Sequence, residues 1–126
     1  MSVKAPALPG VAKTIAPLIG PETTVVTAMN GVPWWFFDGF GAHHGLRLKA
    51  VDPDGSLAEA IPSARVLGCV LHVACSVPEP GLVVHNSQNR WIVGEPDGSE
   101  SSRAGALVDA MVAAGGGGEV TTNIQQ

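Results

Sequence analysis

Charge is scarce in this 126-residue sequence: Asp, Glu, Lys and Arg make up only 14% of it. Basic residues number 7 and acidic residues 11, a net charge of −4, and no segment gathers Lys or Arg. That excludes a concentrated basic face, which nucleic acid and anionic membrane surfaces both require. Long apolar runs are missing as well. No uninterrupted stretch approaches the roughly 20 residues of a membrane span. Met1 to Gly10 holds no apolar core long enough for a secretory signal. Cysteine is limited to Cys69 and Cys75. Both fall on one segment that reads as strand, where their spacing holds them too far apart to bridge. A cytoplasmic location is the expectation from these absences. What is abundant is apolar: 45% of residues are hydrophobic, the composition of a globular chain of single-domain size.

Apolar residues at Leu8, Val11, Ala12, Ile15 and Ile19 predict a helix over Ala7 to Ile19. Pro9 suits its first turn, and Pro17 with Gly20-Pro21 stops it. Thr23 to Met29 is β-branched and short, a buried strand. Asn30-Gly31 then reads as a strand-to-helix turn, because Val32 to Phe37 does not alternate. His43 to Pro62 is loop-rich, with a strong turn at Asp52-Pro53-Asp54-Gly55. Arg65 to Val77, Leu82 to Asn86 and Arg90 to Gly94 predict three strands of an antiparallel meander. Ser101 or Ser102 caps a last helix whose inner face is Ala104, Leu107, Val108, Met111 and Val112. Gly115 to Gly118 ends it, and Glu119 to Thr122 is one more short strand. The sum is α/β, a helix and strand leading into a β-rich half.

Several patterns imitate sites. Gly115 to Gly118 follows a helix, whereas phosphate-cradling loops precede one, so it reads as a C-cap and linker. Gly39 to Gly45 has one residue too many for G-x-G-x-x-G and is a loop. Cys69, His72 and Cys75 share a C-x-x-H-x-x-C spacing, but strand alternation sends His72 to the face opposite the cysteines, so no metal site is expected. The pair His43-His44 reads as solvated. Lys4 and Asn30 carry more weight. Lys4 follows the strand-like stub Ser2-Val3, and Asn30 follows the strand Thr23 to Met29. In open α/β sheets the ligand crevice lies at the carboxyl ends of strands, so both would face it.

In order along the chain, V-K-A-P-A-L (Val3 to Leu8), T-V-V-T-A-M-N-G (Thr24 to Gly31), R-V-L-G-C-V-L-H-V-A (Arg65 to Ala74), P-G-L-V-V-H (Pro80 to His85) and V-G-E-P-D-G-S (Val93 to Ser99) resemble the later part of the dinucleotide-binding domain of ketopantoate reductases. The resemblance spans nearly the whole chain. It implies a partial Rossmann-like fold with parallel strands leading into a partly antiparallel half, NADPH as cofactor and a 2-keto acid as substrate. Residue by residue, Lys4 matches a lysine that reaches cofactor and substrate, and Asn30 an asparagine that contacts both. Ala74, six residues after Gly68, matches a position whose backbone touches the cofactor. An amide can donate to a carbonyl oxygen gaining charge during hydride transfer.

The resemblance also implies parts outside residues 1–126. The family's G-x-G-x-x-G turn is expected before Met1, and its general-acid lysine, with a helical C-terminal domain, after Gln126. The aromatic stretch Trp34 to Phe37 and the loop to Pro62 are longer than in the simplest relatives, which bears on which 2-keto acid is reduced. The chain alone is therefore expected to lack turnover. A rival reading is a non-catalytic module used in self-association or weak ligand binding. Self-association is expected in either case, because Thr23 to Met29 would be an uncharged, proline-free edge strand.

Overall fold

Residues 1–39 and 41–126 are described by the structure, a computed structural model. Phe40, in the predicted loop Gly39 to Gly45, lies outside them. The strands are β1 (Val25–Ala28), β2 (Val66–Glu79), β3 (Leu82–Gly94) and β4 (Gly118–Val120). They form one sheet in that order: β1 and β2 are parallel, β2 and β3 antiparallel, β3 and β4 parallel. The helices are α1 (Leu8–Ile15), α2 (Ser56–Ala60) and α3 (Ser102–Ala113). The α/β arrangement is the one that the residue pattern predicts.

Side chains alternate across a strand, so the neighbours Val66 and Leu67 enter different cores. Val25 and Val66 pack with Leu8, Trp34, Trp35, Leu57 and Ile61 on one side of the sheet. Leu67, Cys69 and Val93 pack with Ala104 and Val108 of α3 on the other. Both faces are covered only where β2 runs beside β1. Beyond that, β2 and β3 continue as a two-stranded arm, and every residue from Ala74 to Arg90 is exposed.

The structure refines several boundaries. α1 ends at Ile15, two residues before Pro17, and a 3₁₀ turn, Ala16–Leu18, completes the segment. β1 begins two residues later than predicted. The predicted strands Leu82 to Asn86 and Arg90 to Gly94 are one strand, β3. Gln88, with φ of 59°, absorbs the interruption as a bulge, two residues on β3 facing one on β2. The loop His43 to Pro62 contains α2. Asp52, buried, accepts hydrogen bonds from the backbone N–H of Leu57 and Ala58, both at 3.1 Å, and so caps that helix. On α3 the predicted inner face holds except at Val112, which is 54% exposed. At 3.6 residues per turn it sits about 80° around from Ala104, off the buried stripe.

Ser101 caps α3 by accepting from the Ala104 N–H. At the other end Gly115 takes φ of +83°, donating to Val112 O while Gly116 donates to Met111 O, both at 2.9 Å. This pair of bonds is a Schellman motif, so the glycine run is the helix cap its position predicts. No helix among the described residues is long and apolar enough to cross a membrane.

Candidate functional site

The chain enters beside β1: the Met1 ammonium donates to Val26 O, and Ala28 N–H donates to Met1 O. Lys4 follows in extended conformation, immediately before a proline-containing 3₁₀ turn, Ala5–Ala7. Pro6 stops the extended run there, which leaves Lys4 exposed at the carboxyl end of the stub. β1 ends at Ala28, and Met29 N–H donates once more to Cys69 O at 3.2 Å. Asn30 is next, and Gly31, with φ of +110°, turns the chain away.

Lys4 and Asn30 are brought together. They line one cleft of about 460 Å³ with Met29, Leu71, Val73 and Cys75. Among the described residues no Asp or Glu lines it, so an anion entering would meet an ammonium and no opposing carboxylate. Ala74 lies between Val73 and Cys75, opposite the β3 bulge, and is not itself part of the wall. The structure thus joins two of the three candidate residues and sets the third beside them.

Asn30 is held more firmly than its position in a turn suggests. Its Nδ2 donates to Leu71 O and its Oδ1 accepts from Leu71 N–H, both at 2.9 Å. The amide therefore copies a backbone pairing and extends the β1–β2 ladder past Met29. One N–H of Nδ2 is used in this way; the second is available to a ligand. Leu71 and Val73 were not singled out by the sequence, and Cys75 entered only in a spacing rejected as a metal site. The signal was in the parallel register: Ala28 pairs with Cys69, so the residue two further on each strand, Asn30 and Leu71, must meet.

Cys69 and Cys75 are both free thiols. Cys69 is sealed beneath α3, where burial pushes its thiol up to about 11. Cys75 is exposed at the cleft. At the far end of β3, Glu95 accepts from Arg103 Nε at 2.7 Å and from Arg103 Nη2 at 2.5 Å, and Nη2 also donates to Val66 O. The Arg103 hydrogen bonds hold the Glu95 carboxyl below the usual carboxylate range against the opposing cost of burial. This pair ties α3 to β2 and β3, and it lies in a separate cleft with Asp38, His44 and Asp97.

The family model described as Ketopantoate reductase PanE/ApbA matches residues 1–98. A 2-dehydropantoate 2-reductase of Mesorhizobium japonicum is 45% identical over 116 residues, 91% of this chain and 36% of that protein. A crystal structure assigned to the ketopantoate reductases, from Ralstonia solanacearum, superimposes with a TM-score of 0.92 at 52% identity, covering 99% of this chain and 39% of the other. The 2-dehydropantoate 2-reductase structure from Geobacter metallireducens, at 22% identity and a TM-score of 0.69, shares the fold over 94% of this chain and 34% of its own. The chain spans little more than a third of the length of these relatives. The family match over residues 1–98, the 45% identity and the shared backbone place it together with them: the chain belongs to the ketopantoate reductase family.

Proposed function

We propose that this chain is a segment of an NADPH-dependent 2-dehydropantoate 2-reductase, contributing part of the cofactor cleft and one polar contact to the keto acid. The observation that supports this most is the meeting of Lys4 and Asn30 in a single cleft without carboxylates. Bound NADPH would supply the hydride. Lys4 would attract the phosphates or carboxylate of the ligands, and Asn30 would aim its second amide N–H at a carbonyl oxygen that gains charge in the reaction. The Ala74 backbone would lie alongside the cofactor. A cytoplasmic enzyme of pantothenate synthesis fits this reading. The glycine turn and the helical domain that the resemblance implies would supply the remaining catalytic parts, so residues 1–126 alone would not turn over.

A segment exchange tests the proposal. Residues 1–126 replace the matching part of the Mesorhizobium japonicum relative, and NADPH-dependent reduction of 2-dehydropantoate is followed. The chimera should be active. Asn30→Ala in it should lower kcat by about 10²-fold, the scale for losing one donor to a developing oxyanion, and Lys4→Ala should chiefly raise KM. A folded chimera with no activity, or both variants with normal constants, would count against the reading. The isolated chain should bind NADPH weakly and show no turnover; activity above a buffer control would contradict that part.

The rival, a self-associating module without catalysis, draws on one feature, the exposed β2–β3 arm with Val77, Leu82 and Val83 at its surface. An active chimera would remove it.

A further inference from the structure

Asn30 is followed by Gly31, and no other asparagine of the chain precedes a glycine. An Asn-Gly pair is prone to modify itself, because the glycine has no side chain to shield its backbone nitrogen. When that nitrogen reaches the side-chain amide carbon, a five-membered imide closes and ammonia leaves. The local backbone keeps this pair in place. Gly31 takes φ of +110°, which a residue with a side chain adopts only at a cost, so the turn needs its glycine.

Leu71 opposes the reaction. Asn30 Nδ2 donates to Leu71 O and Oδ1 accepts from Leu71 N–H, both at 2.9 Å. Imide closure makes the amide carbon tetrahedral and expels Nδ2, so both bonds are given up on the way. Contacts that a reactant makes and its transition state loses slow the reaction. The clamp that extends the β1–β2 ladder is therefore also a chemical guard.

We propose that Asn30-Gly31 is a latent deamidation site that the Leu71 clamp holds closed. When the end of β1 opens from β2, the Gly31 nitrogen bonds to Asn30 Cγ and the Cγ–Nδ2 bond breaks. The proton of that nitrogen leaves with the ammonia. Water then cleaves one of the two imide C–N bonds, giving aspartate or, with the backbone rerouted through the side chain, isoaspartate. Nothing is oxidised or reduced. Either product is a carboxylate with no proton to donate to Leu71 O, so the clamp does not reform. Opening is thus recorded permanently in the wall of the Lys4 cleft. The chemical step stands apart from the reductase reading; a loss of reduction after ageing rests on it.

Peptide mass spectra of residues 1–126 aged at mildly alkaline pH follow the exchange of NH₂ for OH at Asn30. Asn86, before Ser87 on the arm, is the internal reference. Native Asn30 should convert about 30-fold more slowly than Asn30 in strong urea, the worth of two hydrogen bonds. Leu71→Pro removes the N–H that Asn30 Oδ1 uses. It costs no bond to β3, because a residue's N–H and C=O point to one side of its strand, and Trp91 opposite donates away from β2, to Gly117 O. This variant should speed Asn30 about fivefold, one hydrogen bond, and leave Asn86 unchanged. If it does not fold, exchange of the Leu71 amide hydrogen replaces it: across sub-denaturing urea, that exchange and Asn30 conversion should rise together. A native rate equal to the rate in strong urea overturns the proposal. So does a folded Leu71→Pro that leaves Asn30 unchanged or speeds Asn86 equally, or conversion that stays constant while Leu71 exchange accelerates. In the active chimera, activity should fall as Asn30 converts; conversion without that loss would remove Asn30 from the reductase reading and leave the deamidation site standing.

Discussion

Cys69 and Cys75 show how strongly position along one strand decides the chemistry of one residue type. The thiolate is the reactive form, and burial under α3 holds the Cys69 thiol near 11, so almost none of it is ionised at neutral pH. Cys75 is exposed. Treating the native chain with iodoacetamide at pH 7.5 should therefore label one cysteine, identified by peptide mass as Cys75, and the second only in denaturant. Labelling of Cys69 in the native chain would mean that α3 opens readily. Because Cys75 lines the Lys4–Asn30 cleft, the same adduct should also obstruct ligand entry there. Asn30 gives a second prediction at this scale. In Asn30→Asp the carboxylate can still accept from Leu71 N–H but opposes Leu71 O, where the native amide donates. The variant should lose about 1 to 3 kcal/mol in urea titration; an unchanged midpoint would show that the clamp contributes nothing. That Lys4 and Asn30 share a cleft was legible in the sequence because each stands at the end of a strand. Leu71 was not. It acts through its backbone N–H and C=O, which every residue but proline possesses, so its identity carries no trace of the role.

Elements in this chain are joined by few strong ties, and the Glu95–Arg103 pair is the clearest. Arg103 sits in the first turn of α3 and reaches both Glu95, at the end of β3, and Val66 O, at the start of β2. Because the folded-state pKa of Glu95 lies below its ordinary value of 4.5, the unfolded chain takes up this proton first as pH falls. The pair's contribution is thus fully present well above pH 4.5 and is lost as pH falls through the lower, folded value. Urea midpoints of the native chain and Glu95→Gln should differ by about 2 to 3 kcal/mol at pH 7, and the gap should close toward pH 3. A gap independent of pH would assign the effect to packing instead. Gly68 links β2 to the aromatic segment in another way: a Cβ there would meet Trp35 Cη2 at 2.6 Å and Ile124 Cγ1 at 2.7 Å. Gly68→Ala should cost about 1 to 3 kcal/mol by overpacking, read from the same titration. The caps of α3 were legible because serine and glycine announce them. α2 was not, since five residues supply too little periodicity, and Asp52-Pro53-Asp54-Gly55 looked like a turn alone when its first aspartate also caps a helix. The bulge at Gln88 looks like a break in the sequence because its neighbours Ser87 and Asn89 favour turns, and only the partner strand shows that pairing resumes.

At the scale of the molecule the open question is what meets the sheet's free margins. β1 is an outer strand, and among the described residues only Met1 pairs with its far side, at Val26 O and Ala28 N–H. The β2–β3 arm has more free margin still, since β1 stops opposite Cys69 and β4 pairs only with Trp91 to Val93. Between Val73 and Asn89 the arm carries a single formal charge, Glu79 at its tip, and Val77 and Val83 are each 66% exposed. Unpaired strand margins with apolar side chains and little charge are templates for another chain; edge lysines are one device that blocks such pairing. Residues 1–126 should therefore self-associate, as a dimer through paired arms or as larger species. Light scattering after size-exclusion chromatography measures this directly. The double variant Val77→Lys, Val83→Lys should return the chain to a monomer while shifting the urea midpoint by no more than about 0.5 kcal/mol per site, because both positions are surface ones. Association that persists in the lysine variant would move the contact from the arm to β1. A native chain that stays monomeric at high concentration would show that neither margin is adhesive, and that the arm is stable as a bare two-stranded ribbon.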